Sequence, residues 1–83
     1  MDREQLLNRI TADPRVLVGK PTIRGMRISV EQILESLAAG VPEQELFEDF
    51  PALEPDDIRA ALLYARDVVA SERVYPVELP VPA

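Results

Sequence analysis

Apolar residues recur at helical spacing in three places along this chain, and the polar residues around them carry the signals that start and stop each helix. Val30, Ile33, Leu34 and Leu37 fall at i, i+3, i+4 and i+7, one face of a helix. Ser29 precedes them with Gln32 three positions on, a capping box in which hydroxyl and amide each satisfy an orphan backbone donor. Gly40 stands where a left-handed C-terminal cap is wanted, with Val41 placed to pack back onto the helix. A first core helix is therefore expected over about 30–39. Pro42 suits the first position of a second helix over about 42–49, where its missing donor costs nothing, and Glu43 and Glu45 complement the positive end of the helix dipole. Leu46, Phe47 and Phe50 supply its buried face, and Pro51 stops it. Pro55, Asp56 and Asp57 repeat that start for a long third helix over about 55–72, whose apolar stripe is Ile58, Ala61, Leu62, Ala65 and Val69.

Upstream, Asp2 as a cap with Leu6, Leu7 and Ile10 predicts a short N-terminal helix ended by Pro14. The stretch that follows is different in kind. Val16 to Val18 are β-prone, Gly19 to Pro21 supply a turn, and Thr22–Ile23 and Met26–Ile28 flank Gly25, so two short strands or a hairpin are expected over about 15–28. From Val74 the chain reads VYPVELPVPA, where three prolines remove donors a central strand needs; 74–83 is read as an extended arm on a single domain of 1–73. The expected architecture is mainly α. Three helices of about ten, eight and eighteen residues have the size and order of a homeodomain-like or helix-turn-helix bundle, behind a short helix and a small β element.

Charge adds a contrast that the apolar pattern does not contain. Pro14 to Val30 carries Arg15, Lys20, Arg24 and Arg27 with no carboxylate, whereas Glu31 to Ile58 carries nine carboxylates and no base. The net charge of −6 argues against nucleic acid wrapping the whole surface and leaves a single basic patch open. With no cysteine and no histidine, there is no disulfide framework or thiolate metal site, and the commonest general base is missing. Asp56 and Asp57 lie about 100° apart on a helix and do not converge on one metal. No enzyme activity, metal or cofactor is expected. No apolar run reaches the roughly 20 residues of a membrane span and no signal peptide is apparent, so a soluble, cytoplasmic protein is expected.

The segment PRVLVGKPTIRGMRISVEQILESLAAGVPEQELFEDFPALEPDDIRAALLYARDVV carries a GKP followed by a hydrophobic pair, R-G-x-R-I, a helix ending in A-A-G, an acidic helix ending in D-F-P-x-L, and D-I-R-A-A-L. In that order and spacing these pieces resemble the prokaryotic family known as domain of unknown function 433. The resemblance implies a homeodomain-like fold and a role as antitoxin, similar in arrangement to VapB-type antitoxins, with a PIN-like nuclease toxin as partner and operator DNA as a second one. The family commonly has Ser or Thr before the second helix and Thr before the third, where this chain has Pro42 and Glu54.

Arg15, Lys20, Arg24 and Arg27 are the DNA-binding candidates, since guanidinium and ammonium groups on one hairpin edge can grip phosphates. The competing reading pairs the same residues with carboxylates of the helical body or of a second subunit. The third helix would enter a groove by Glu54, Asp56 and Asp57, which phosphate repels, so any DNA contact is placed on the basic hairpin of a dimer. Val74, Tyr75, Val77, Leu79 and Val81 are the partner-binding candidates, an apolar strip suited to a groove or sheet edge. A tail that binds nothing is the alternative for the arm. The functional expectation is a toxin-neutralising protein that also represses its own operon; the alternative is a stand-alone interaction module or transcriptional regulator with no toxin partner.

Overall fold

The computed structural model describes residues 1–71 of the chain. Within them the fold is mainly helical: α1 (Arg3–Leu7), β1 (Ile10–Thr11), β2 (Thr22–Ile23), α2 (Val30–Ala38), α3 (Glu43–Asp49) and α4 (Pro55–Ser71). The arm at 74–83, with Val74, Tyr75, Val77, Leu79 and Val81, lies outside the described residues.

Local chemistry sets the helix ends. Ser29 accepts from the Gln32 amide at 3.0 Å while the Gln32 side chain takes the Ser29 amide at 2.9 Å, so the capping box that starts α2 is closed on both sides. Asp2 and Gln5 do the same for α1. At the other end of α2, Gly40 adopts φ +84° and donates to Leu37, and Val41 donates to Ser36, both at 3.0 Å; this is a Schellman closure that needs a left-handed residue. Pro42 precedes α3 as its cap and is not its first helical residue. Its ψ of 145° is extended and no side chain caps the helix there.

The β element differs from its expected form. Val16 to Val18 make no strand: Leu17 and Val18 have φ of 48° and 57°, and the amides of Val16, Gly19 and Lys20 bond to carbonyls three residues back, which spends the segment on tight turns. The partner of Thr22–Ile23 is instead Ile10–Thr11, antiparallel, with Ile10 opposite Ile23 and Thr11 opposite Thr22. Ile10 therefore belongs to the sheet and not to the stripe of α1, which ends at Leu7. Met26 to Ile28 fold back beside β2 through two backbone bonds, Ile23 to the Ile28 carbonyl at 3.1 Å and Met26 to the Ile23 carbonyl at 2.7 Å, and a single Thr22–Ser29 bridge, without forming a third strand.

The core gathers Ile23, Ile28, Val30, Ile33, Leu46, Leu53, Ile58 and Ala61 from β2, the segment after it, α2, α3, the α3–α4 connection and α4. The expected stripe of α4 is only half buried. Ile58 and Ala61 are inside along with Ala60, yet Leu62 is 47% exposed and Val69 is 74% exposed. Leu62 lies about 100° around the helix from buried Ala61, off the face that packs against α1 and α2, and Val69 stands in the last turns of a rod of about 25 Å.

Candidate functional site

Asp57 is the third residue of α4, and its carboxylate is fully buried. It reaches back to accept the Glu54 amide at 2.8 Å, which caps the helix from within. Arg24 meets it edge-on, Nε to Oδ1 at 3.0 Å and Nη2 to Oδ2 at 2.9 Å, a two-pronged contact that a lysine could not make. Arg9 adds a fourth donor, Nη1 to Oδ1 at 2.9 Å, and reaches Glu54 Oε1 at 2.6 Å. Burial by itself pushes the Asp57 carboxyl up, but the bonds from Arg24, the Glu54 amide and Arg9 outweigh it and hold the group below the usual carboxylate range.

Arg24 is delivered by the turn after β2. Met26 donates to the Ile23 carbonyl at 2.7 Å across Arg24 and Gly25, whose φ values of 46° and 72° are the two positive angles of a primed hairpin turn. Glycine meets this demand without strain. Arginine does not, and its bonds to Asp57 and to the Ala52 carbonyl at 2.6 Å hold it there. The R-G of R-G-x-R-I is thus a tight turn that aims one guanidinium at the head of α4. With four donors on its two oxygens, Asp57 serves as a tie between turn and helix and has no free lone pair aimed at a substrate. Among the described residues, no three acidic, histidine or cysteine side chains converge as a metal site.

The four basic candidates are not brought into one patch. Arg24 is locked on Asp57, Arg15 pairs with Asp13 at 2.9 Å, and Lys20 pairs with Glu31 at 2.9 Å. Arg27 is exposed and, among the described residues, has no carboxylate within 4.0 Å. Lys20 and Arg27 border one shallow depression with Leu17 and Val18. Asp56, half-buried and paired with Arg59, stands apart from Asp57.

A larger concavity lies elsewhere among the described residues, between α2 and α4. It is an open apolar groove of about 780 Å³ floored by Leu34, Ala38, Tyr64, Ala65, Val68 and Val69. Sequence reasoning missed both the groove and Arg9. Arg9 meets Asp57 across 48 residues of chain, and no local spacing announces such a pair.

Residues 10–65 match the model of the family described as "Protein of unknown function (DUF433)". The chain belongs to the DUF433 family. The match takes in Arg24, Gly25 and Asp57, so all of the tie except Arg9 falls within the region that defines DUF433. A curated DUF433-length similarity is to "Uncharacterized protein y4eO" of Sinorhizobium fredii, 38% identical over 56 residues, which cover 68% of this chain. The chain spans 25% of that relative's length. No solved structure matches.

Proposed function

We propose that this chain acts by binding another protein, as the antitoxin of a prokaryotic type II pair whose toxin is a PIN-like nuclease. One observation carries the reading: three of the four cations of its basic stretch are engaged by its own carboxylates, while among the described residues an apolar groove stands open. An acidic domain in that condition offers apolar surface and little free positive charge, which suits a protein partner better than a polyanion. In this reading α2, α3 and α4 are the helices of a homeodomain-like helix-turn-helix, VapB-like in arrangement, in a cytoplasmic homodimer. The strip Val74, Tyr75, Val77, Leu79 and Val81 contacts the nuclease.

Autorepression is the secondary part of the proposal. It draws on Arg27 and on Lys20 and Arg15, whose exposed pairs exchange a carboxylate for a phosphate at little cost; Arg24 is excluded by its hold on Asp57. A stand-alone interaction module without a toxin is the second reading, favoured by the acidic opening of α4 at Glu54, Asp56 and Asp57.

Co-expression with the product of the adjacent reading frame decides the main point. A stable complex that restores growth supports neutralisation. A toxic neighbour that neither co-purifies nor is relieved overturns it.

A further inference from the structure

The groove between α2 and α4 offers side chains and little main chain. Leu34, Ala38, Ala65, Val68 and Val69 give it an apolar floor. The backbone donors and acceptors of both walls are spent inside the helices, so a strand laid there gains no ladder of hydrogen bonds. Such a site suits a segment with few donors of its own. The sequence after α4 has that character, because Pro76, Pro80 and Pro82 lack the amide donor. Side chains alternate between the faces of an extended chain. In that form Tyr75, Val77, Leu79 and Val81 would share one face, with Pro76, Glu78, Pro80 and Pro82 on the other. Glu78, the single charged side chain of 74–83, then falls on the proline face.

We propose that this segment folds back on its own chain, with Tyr75, Val77, Leu79 and Val81 seated in the α2–α4 groove. Its point of departure and its length select it. Val68 and Val69 line the groove and stand just before Ser71, so the chain leaves α4 beside it. With Glu72 and Arg73 given to the reversal, 74–83 spans about 31 Å when extended, against about 14 Å for the length of α2. Seating the apolar face turns Glu78 to solvent, away from Glu31 and Glu35 on the α2 side. A tether this short holds the strip at a local concentration on the order of millimolar, so an outside protein has to compete with it. The inference rests on the proposed function in one respect. A nuclease that takes the strip draws it out of the groove, and its apparent affinity falls in proportion to the fraction of chains with the strip released.

Paramagnetic broadening in the free full-length chain tests the docking. The sequence has no cysteine, so Glu78→Cys carries a single nitroxide, on the face turned to solvent. The amide signals of Leu34, Ala38, Ala65 and Val69 are expected to lose most of their intensity and to regain it when the nitroxide is reduced. Two changes should abolish the loss: Val77→Asp with Leu79→Asp in the segment, and Ala38→Arg in the groove. Ala38 is exposed, so the second leaves the core and the shifts of Ile23 and Ile58 unchanged. Groove signals that keep their intensity, or a loss that survives both changes, would overturn the proposal. So would broadening that appears only when labelled chain is mixed with an isotopically marked, unlabelled one, since that places the strip on a second copy. The measurement contains no nuclease. A docked strip without growth rescue sinks neutralisation and leaves the docking standing, and rescue by a chain whose groove is never broadened does the reverse.

Discussion

A carboxylate taken wholly out of water costs several kcal/mol unless donors replace the water, and Asp57 has four of them. Asp57→Asn keeps the shape but removes the charge that Arg24 and Arg9 were turned to meet. Chemical denaturation is expected to show a loss of about 3 kcal/mol, toward the low end for a broken buried pair because Arg24 keeps contact with solvent. That is a large share of the roughly 4 to 12 kcal/mol available to a chain of this size. The same contact sets an acid limit. The folded Asp57 titrates below its unfolded value of about 4, so its contribution is fully present above that pH and is lost as pH falls through the lower, folded value. A denaturation series from pH 6 to pH 2 should show stability falling below about pH 4 in the parent, with a shallower fall in the Asn variant. Of this tie, the sequence displays Asp57 only as an acidic residue in a helix's first turn and Arg24 only as a member of a basic run. Their meeting, and the arrival of Arg9, depend on how β1 and the turn after β2 are laid against α4.

Each helix start and stop rests on a few neighbouring residues, and substitutions there should act locally. Ser29→Ala removes one half of the α2 capping box and is expected to cost about 1 kcal/mol in a thermal melt. On α4, Ile58→Ala should cost about 3 kcal/mol, because the side chain is 1% exposed and leaves a cavity. Leu62→Ala should stay within about 0.5 kcal/mol in dilute, monomeric protein, since that residue faces solvent. The two leucine-sized positions belong to one stripe in the sequence, and only their neighbours distinguish them. Helix boundaries were legible because caps act over three or four residues. The strand pairing was not, because Val16 to Val18 are as β-prone as Ile10–Thr11, and nothing local says which of the two segments will lie beside β2.

For the molecule as a whole, the charge that looked like a DNA surface is mostly internal bookkeeping between a basic stretch and an acidic body. Binding of the chain to its own promoter fragment, followed by gel shift between 50 and 300 mM salt (roughly a twofold shortening of the Debye length), should fall steeply if phosphates displace the Asp13 and Glu31 partners. In that assay Arg27→Ala is expected to weaken binding and Arg24→Ala to act chiefly through stability; equal affinity for parent and Arg27→Ala would remove Arg27 from the DNA surface. What the sequence determined by itself was local: the existence and order of the helices, the Asp2 and Ser29 caps, the Gly40 stop, the break at Gly25, and the order of motifs that marks the family. Those features are written in spacings of one to seven residues, where backbone hydrogen bonding and side-chain periodicity operate. Tertiary structure alone decided which charges cancel, which half of the α4 stripe is covered, and that the buried Asp57 ties Arg9 and Arg24 to the head of that helix. Each of these depends on residues brought together from distant parts of the chain, and burial converts a surface charge into a structural one only once they have met.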